Sequence, residues 1–465
     1  MIRDIIVVMG FTLTTSLVGF NIILLYDKEN YLKAMEKIGL SYLFGIALIS
    51  IELFALGLMG MGFTKQNILI PWIPLILFNL YRYKKLPLAS NIRIFKRLNF
   101  SLLEKTMVFL IVLAVFYAFF KALIKPMESY DAVAIWGLLA KILYFAGTLP
   151  QNFFAKLSTG FNGLHPDSPL LLPFSETWFY IFNNGFNDLL VKAIFPISLT
   201  AFLMVFYSFL KRAISNRTLA LIFTFALVSI KQFNDYAANG YADIPMAIYC
   251  SLTFLSLYLW VNENKEVYFW TAFLACISAI WTKSEGGAIF LTMIALVLFY
   301  QFSYAGKRNR LFGRIWFALA FMTLIFMSWV IFKNILGISS VIFNDRTFKG
   351  YNYAGIVKRV QIILYEYQRQ FFGLKHWNLS WIAFIFFIFA GYKKIMSKDR
   401  FYIVAPIFII LSSYSAIYLV TPLDVSWHVR TSASRIFLHI LPLVIFYLAI
   451  RTKEIYGASG RDKGA

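Results

Sequence analysis

Long apolar runs recur along almost the whole chain and limit it to one broad kind of fold. A helix needs about 20 predominantly apolar residues to cross the hydrocarbon core of a bilayer, and about thirteen runs satisfy that requirement. These predicted spans begin near Ile5, Gly39, Ile68, Thr106, Asp188, Thr218, Asp243, Val267, Gly286, Ile315, Leu379, Tyr402 and Ile436. We therefore predict an all-α polytopic membrane protein.

The composition excludes an ordinary soluble domain. Of the 465 residues, 60% are hydrophobic, 19% are aromatic and only 14% are charged, whereas about a quarter of the residues are charged in a typical soluble domain. A formal net charge of +22 would suggest nucleic acid as the partner of a soluble protein. Here Lys and Arg fall in short clusters between apolar runs, which is the pattern of cytoplasmic loops. We therefore predict no nucleic-acid partner.

The basic clusters also predict an orientation in the membrane. The loop from Arg82 to Arg97 is the strongest cytoplasmic marker in the chain. It predicts that the fourth span runs outward and delivers residues 125–187 to the extracytoplasmic side, with a second outer loop at 334–378. Apolar residues recur at helical spacing from Ala132 and from Ile356, so both outer loops are expected to carry short amphipathic helices in the headgroup plane.

Two aspartates stand at the borders between spans and outer loops. Asp131 follows the outward end of the fourth span, and it is either an N-cap that accepts a first-turn amide hydrogen or a functional acid. Asp243, in N-G-Y-A-D-I-P-M, lies where a short outer loop re-enters the membrane. An acid at that depth is costly without a function or a partner, although a helix cap followed by Pro245 is the alternative.

The first outer loop also contains G-L-H-P-D-S-P, which offers two further candidates for substrate binding. These are His165 and Asp167, and for His165 a plain loop residue is an equally open interpretation. Neither H-x-x-H nor H-E-x-x-H occurs in the chain, so nothing supports a zinc or other divalent metal site, and no cofactor is predicted. Cys250 and Cys276 both lie in apolar runs, which argues against a disulfide framework.

Two other outer segments carry cations that suit an anionic ligand. Lys283 and Glu285 lie in the very short turn W-T-K-S-E-G-G, which is either a solvated ion pair or a lysine held where it would meet a lipid phosphate. The last outer loop, D-V-S-W-H-V-R-T-S-A-S-R, contains His428, Arg430 and Arg435. Arginines on the outer side run against the usual charge bias, and their planar donors match phosphate oxygens. We predict anion binding there.

The order of these residues resembles the GT-C superfamily of polyprenyl-phosphate-sugar glycosyltransferases. The likeness rests on D-A-V-A-I-W-G-L-L-A-K from Asp131, on an H-P turn that leads into L-L-L-P, and on a second outer aspartate at a helix start. It covers roughly Thr106 to Gly287, and the most similar families are the protein O-mannosyltransferases and the lipid A aminoarabinose transferases. A P-loop and a G-x-G-x-x-G turn are missing where they could work, which disfavours a nucleotide-sugar or ATP enzyme.

The resemblance implies a fold and a domain order. A GT-C-like transmembrane catalytic core would occupy residues 106–450, with additional transmembrane helices at 1–105 before it and a short cytoplasmic tail at 451–465. The implied reaction is the inverting transfer of a sugar from a polyprenyl-phosphate donor to a lipid, glycan or protein acceptor, at the extracytoplasmic face of the cell membrane.

The resemblance also assigns roles to the candidate residues. Asp131 would remove the proton of the acceptor as a general base, and Asp243 would position the acceptor or assist. Lys283, Arg430 and Arg435 would neutralise the departing phosphate. We expect these groups to converge in one pocket at the rim of the bilayer. Two alternatives are an O-antigen-type glycan polymerase or ligase, and a transporter of lipid-linked glycans.

Overall fold

A computed structural model describes residues 2–83, 99–160, 167–304, 312–338, 340, 347, 352–395 and 397–459. This described part of the chain is all-helical, with 83% helix and no strand. The prediction of an all-α protein is therefore confirmed. Most of the basic loop from Arg82 to Arg97, together with His165 and most of the second outer loop before Asn352, lies outside the described residues.

The α-helices follow one another with short connections. The first ten are α1 (Ile2–Tyr26), α2 (Ala34–Leu58), α3 (Lys65–Leu69), α4 (Ile73–Tyr83), α5 (Leu102–Leu123), α6 (Leu138–Ala146), α7 (Gln151–Gly160), α8 (Leu171–Asn183), α9 (Ile194–Ile214) and α10 (Arg217–Val228). The others are α11 (Lys231–Tyr236), α12 (Asp243–Glu263), α13 (Glu266–Thr282), α14 (Gly286–Tyr304), α15 (Phe312–Ile335), α16 (Tyr353–Phe371), α17 (Leu374–Trp377), α18 (Ser380–Ala390), α19 (Lys398–Val420) and α20 (Val425–Ser459). A π-helical turn, Ala132–Gly137, precedes α6.

Within the described residues, nine helical segments are long and apolar enough to cross a membrane. They establish a multi-pass membrane protein by length and composition. The other four predicted spans coincide with shorter helices: α10 has 12 residues, α13 has 17 and α18 has 11. The run from Ile68 is divided between α3 and α4 at Pro71 and Pro74, because proline cannot donate the backbone hydrogen bond that a continuous helix requires.

The chain divides into two compact units. Unit 1 contains Met1–Pro150, Leu170–Ser229 and Phe233–Ala242, and unit 2 contains Gln151–Pro169, Ile230–Gln232 and Asp243–Ala465. In unit 1, α2 packs against α1, α8 and α9. The helices of residues 1–105 therefore share a core with helices that follow the predicted start of the catalytic region.

Helices α1 and α2 approach each other through small residues. A Cβ atom on Gly19 would lie 2.0 Å from the carbonyl oxygen of Ser41, and one on Gly45 would lie 1.9 Å from that of Thr15. No larger side chain fits these positions without moving a backbone. Close contact through glycine is a common way to pack helices in a membrane, where lipid gives little hydrophobic drive for association.

The two predicted amphipathic helices are present, and protein covers much of their apolar faces. The stripe of the first is buried, with exposures of 0–4% at Ala132, Ile135, Trp136, Leu139 and Leu143, and α6 packs against α8 in unit 1. The second predicted helix is α16, which packs against α19 and α20 in unit 2. Its stripe is divided: Ile363 and Tyr367 are buried, while Ile356, Val360 and Leu364 are exposed.

A buried ion pair joins α2 and α9 in unit 1. Glu36 is fully buried, and its carboxylate accepts hydrogen bonds from Arg212 at 2.6 Å and 3.1 Å and from Ser208 at 2.8 Å. Arg212 also donates to the carbonyl of Tyr31 at 2.9 Å. A charge removed from water in this way is tolerated only while its partner is present.

We expect Arg212→Leu to lower the free energy of unfolding by about 3–5 kcal/mol, because it leaves the Glu36 carboxylate buried without its cation. The matched control is Arg314→Leu, since the pair between Arg314 and Glu266 is largely exposed and such pairs contribute about 0–1 kcal/mol. Unfolding titrations in mixed detergent micelles measure both. Equal losses in the two variants would show that burial of the Glu36 pair is unimportant.

A second buried carboxylate in unit 1 is arranged differently. Glu176 lies in α8, where every residue from Leu171 to Ile181 is buried, and neither of its carboxyl oxygens has a hydrogen-bond partner among the described residues. Burial raises the pKa of Glu176 well above its ordinary value. The folded protein therefore retains a proton that the unfolded chain releases above about pH 4.3. The free energy of unfolding must fall as the pH rises above that point.

Glu176→Gln should remove this pH dependence, because the amide cannot ionise in either state. We expect the variant to match the native protein near pH 4 and to exceed its unfolding free energy increasingly as the pH is raised. The measurement is the unfolding midpoint as a function of pH. Glu128→Gln, at a side chain that is 60% exposed, is the control and should leave the slope unchanged. An unaltered slope in Glu176→Gln would exclude a buried neutral acid at this position.

Candidate ion-pair site at the start of α12

Asp243, the first residue of α12, is the centre of a buried charged cluster in unit 2. Its side chain is 2% exposed. One carboxylate oxygen, Oδ1, accepts hydrogen bonds from Lys283 Nζ at 3.0 Å and from His439 Nε2 at 3.0 Å. The other, Oδ2, lies 3.9 Å from Arg435 Nη1. Two cations and an imidazole therefore surround this carboxylate.

A tight turn between α13 and α14 supplies Lys283 and Glu285. The helix α13 ends at Thr282, and Lys283 is in an extended conformation before α14 begins at Gly286. A Cβ atom on Gly286 would lie 2.2 Å from the carbonyl oxygen of Ala279, so only glycine permits such a close return of the chain. The turn places Lys283 Nζ 3.0 Å from Glu285 Oε1, and Lys283 thereby bridges two carboxylates.

The long helix α20 supplies the other two members. Arg435 and His439 are four residues apart and therefore share a face of the helix. His439 is 1% exposed. Its Nδ1 atom lies 3.2 Å from the hydroxyl oxygen of Tyr414 on α19. We call the set Asp243, Lys283, Glu285, Arg435 and His439 the Asp243 cluster.

Opposite charges keep both Lys283 and Glu285 ionised, although Lys283 is buried and the Glu285 side chain is only 28% exposed. Burial alone would lower the pKa of the Lys283 ammonium, but the carboxylates of Asp243 and Glu285 outweigh it and hold that pKa above its ordinary value. Burial would raise the pKa of Glu285, and Lys283 with His439 instead holds it below its ordinary value. The stability from Glu285 is therefore present above about pH 4.3, and that from Lys283 below about pH 10.4.

The structure brings four of the predicted site residues together: Asp243, Lys283, Glu285 and Arg435. It adds His439, which the sequence reasoning did not identify because a histidine inside an apolar run has the surroundings of a core residue. The sequence feature that could have identified His439 is its spacing of four residues from Arg435, which predicts that the two side chains share a helix face.

Asp167 lies beside the turn that holds Lys283. Its backbone carbonyl accepts a hydrogen bond from the Ser284 hydroxyl at 3.5 Å and from the Trp329 indole at 3.2 Å. Its Oδ2 atom accepts a hydrogen bond from Ser340 at 3.2 Å. Asp167 therefore contacts the side chain of Ser284 in this turn, and the whole residue is 7% exposed.

His428 and Arg430 precede Arg435 in α20 and contact different partners. His428 Nδ1 lies 3.0 Å from the hydroxyl of Thr421. Arg430 Nε lies 3.8 Å from Glu366 of α16, and its side chain is 66% exposed. The buried Glu366 carboxylate also pairs with Arg369 at 3.1 Å. The predicted arginines are thus held by two separate carboxylates, Arg435 by Asp243 and Arg430 by Glu366.

Asp131 belongs to unit 1. Its backbone is already helical, and its side chain makes no capping hydrogen bond to the π-helical turn that follows. The side chain is partly exposed. The capping interpretation is therefore wrong for Asp131, and the functional interpretation stays a prediction. His165, the remaining predicted site residue, lies outside the described residues.

In the described part of the chain, no group of three or more His, Cys, Asp or Glu side chains is arranged to hold a metal ion. Cys250 and Cys276 are both buried free thiols. No protein-family model, curated protein or solved structure matches this chain.

The Asp243 cluster predicts strong energetic coupling between its members. Lys283→Met should lower the free energy of unfolding by about 3–5 kcal/mol, because a buried carboxylate loses its closest cation. Asp243→Asn should then lower the free energy of unfolding less in the Lys283→Met background than in the native protein. We expect a coupling energy of about 1–3 kcal/mol between the two substitutions. A double-mutant cycle at pH 7 measures this coupling.

The control cycle is Lys121→Met with Asp235→Asn, a pair whose side chains are 22% and 36% exposed. We expect its coupling energy to stay below about 1 kcal/mol. If the Asp243 and Lys283 substitutions are additive, these two side chains do not form an ion pair that stabilises the fold.

Proposed function

We propose that the protein is a GT-C-type membrane glycosyltransferase. It would transfer a sugar, with inversion, from a polyprenyl-phosphate donor to a lipid, glycan or protein acceptor at the extracytoplasmic face of the cell membrane. The observation that carries this proposal is the Asp243 cluster, in which a buried carboxylate holds a lysine and an arginine at the start of a spanning helix. Buried ionisable groups in membrane helices are costly and usually functional.

The charge distribution along unit 2 supports an extracytoplasmic position for the cluster. His439 and Arg451 lie about 18 Å apart along α20, and the end near Arg451 is basic. There Arg400 and Arg451 both pair with Glu454, and Lys453 is exposed. Cytoplasmic ends of membrane helices carry such an excess of Lys and Arg. The opposite end, with Asp243, is then the outer one.

The same geometry supports counting α13 as a span. Lys283 follows the last residue of α13 and pairs with the first residue of α12. The helices α12 and α13 are consecutive and packed together. Because α13 begins near the end of α12 and ends beside its first residue, it must cross the same thickness of membrane in the opposite direction. Its 17 residues extend about 25 Å. The proposal therefore counts α13 as a crossing in addition to the nine longer helices of the described residues.

The proposed reaction is a single displacement at the anomeric carbon. The acceptor hydroxyl or amine gives its proton to the carboxylate of Asp131, the general base. Its lone pair forms the new bond to the anomeric carbon while the bond to the phosphate oxygen breaks. The bonding electrons leave with the polyprenyl phosphate, and the configuration at the anomeric carbon inverts.

Cationic side chains would stabilise the departing phosphate. Arg435, whose side chain is 23% exposed, is the most accessible cation of the Asp243 cluster, and Lys283 lies behind it at 10%. Arg430 offers a third cation, a well-exposed guanidinium. Asp243 is enclosed by cations, so we assign it the role of a positioning residue that orients Lys283 and Arg435. Fixed positive charge near a developing anion typically contributes a few kcal/mol to catalysis.

A transporter of lipid-linked glycans is the second candidate, and one observation favours it. Tyr414, His439 and Asp243 form a continuous buried chain of polar contacts among α19, α20 and α12. Buried chains of this kind also mark proton pathways in transporters. Proteoliposomes distinguish the two functions, because a transporter would move an intact fluorescent polyprenyl-phosphate sugar between leaflets without cleaving it.

Asp131→Asn should abolish sugar transfer while the protein still folds and inserts, because the amide cannot accept the proton of the acceptor. We expect a loss of at least about 100-fold in turnover. Proteoliposomes with polyprenyl-phosphate-linked mannose, glucose or aminoarabinose, mixed with a cell-envelope extract as acceptor, measure this as release of free polyprenyl phosphate.

Asp188→Asn is the matched control, since Asp188 is an exposed acid of the same unit to which no role is assigned. It should retain native turnover. Full turnover in Asp131→Asn would remove the proposed base. Absence of sugar release by the native protein, together with movement of the intact donor between leaflets, would favour the transporter.

A further inference from the structure

The Asp243 cluster is balanced in charge before any ligand binds. Asp243 and Glu285 carry two negative charges, and Lys283 and Arg435 carry two positive charges. The sum is zero when His439 is neutral. An anion that enters this cluster therefore meets no excess of positive charge, although both cations are within its reach. Burial makes any uncompensated charge costly.

The contacts of His439 allow it to carry a proton without rearrangement. In the neutral imidazole, Nε2–H donates to Asp243 and Nδ1 accepts from the Tyr414 hydroxyl, at 3.0 Å and 3.2 Å. In the imidazolium, Nδ1–H would donate to the Tyr414 oxygen instead. A hydroxyl can both donate and accept, so rotation of one O–H bond satisfies either state.

The charged and titratable groups around His439 come from three of the four helices packed against α20, from α20 itself and from one turn. The helix α12 contributes Asp243 and Cys250, and the turn between α13 and α14 contributes Lys283 and Glu285. From α19 come Tyr414 and Tyr418, from α16 come Glu366 and Tyr367, and α20 itself contributes Arg435; α18 has no titratable residue. Glu366 pairs with Arg369 and Arg430, and Tyr367 packs edge-on against Phe437.

We propose that His439 takes up one proton when a phosphate anion binds beside Arg435 and Lys283, so that this site binds lipid phosphate more tightly as the pH falls. This inference rests on the phosphate-binding part of the proposed function. The bound phosphate adds one negative charge to the cluster, and the imidazolium of His439 adds one positive charge that balances it. The two carboxylates, Asp243 and Glu285, then remain compensated while Lys283 and Arg435 turn toward the phosphate.

Thermodynamic linkage makes the effect measurable in both directions. If phosphate binding favours the proton, the proton must favour phosphate binding by the same factor. The dissociation constant should therefore rise about tenfold per pH unit over the range in which His439 is neutral in the free protein and protonated in the complex. A site without a linked proton would show one dissociation constant throughout.

The probe is farnesyl methyl phosphate, a lipid phosphodiester with a single charge that does not titrate near neutral pH. Calorimetric titration of the full-length protein in nanodiscs, in two buffers of different ionisation enthalpy, gives the number of protons taken up on binding. We expect about one proton for the native protein at the pH of steepest dependence, and an affinity that weakens as the pH rises from 5.5 to 8.

His439→Gln removes the titrating group and preserves a side chain that can hydrogen-bond to Asp243. Its affinity for the probe should be independent of pH, with no proton uptake. His376→Gln, at an exposed histidine of α17 to which no role is assigned, is the control and should behave as the native protein. If His439→Gln does not fold, histidine-labelled NMR of the native protein provides the test, because the His439 ring nitrogens should both become protonated on addition of the probe.

The proposal is overturned if the native protein binds the probe without proton uptake, if it does not bind the probe between pH 5.5 and 8, or if His439→Gln retains the pH dependence. These results differ from failure of the enzyme proposal. Proton-linked binding without sugar release would leave the inference intact and remove glycosyl transfer. Sugar release with pH-independent binding of the probe would leave glycosyl transfer intact and remove the inference about His439.

Discussion

The ionised carboxylate of Asp243 imposes the main constraint on unit 2. Every residue of α12 from Asp243 to Val261 is buried, so this charge is removed from water at the end of a helix with no exposed face. A buried carboxylate is tolerated only with close cations and satisfied hydrogen bonds. Lys283 and His439 meet that requirement at 3.0 Å each. They fix the ends of α12 and α13 against the middle of α20.

Several unusual sequence features follow from that constraint. The turn between α13 and α14 must return the chain within three residues, which requires glycine at position 286. The helix α20 must extend well beyond the level of α12, because His439 is far from its first residue, Val425. That extension carries Arg430 to a second carboxylate, Glu366. One cluster thereby determines where the more exposed arginines of α20 lie.

Much of the architecture was predictable from the sequence, because apolar length and helix periodicity determine where helices form in a membrane protein. Asp243, Lys283, Glu285 and Arg435 were identified from their unusual position between apolar runs, and the structure brings them together. His439 and Tyr414 were missed because both lie inside apolar runs, where only contacts between helices distinguish a polar network from core packing. The run from Ile68 was predicted as one span although Pro71 and Pro74 marked its interruption.

The proposed function requires the Asp243 cluster to face the extracytoplasmic side and to bind lipid phosphate. Ser284 is exposed in the turn between Lys283 and Glu285, and the two native cysteines are buried. Ser284→Cys, in a background with Cys250→Ala and Cys276→Ala, therefore provides a reporter beside the cluster. We predict that a membrane-impermeant maleimide labels it in intact cells, and that polyprenyl phosphate slows the labelling of the purified protein. Labelling that requires permeabilised cells, or a rate that polyprenyl phosphate does not change, would contradict the account.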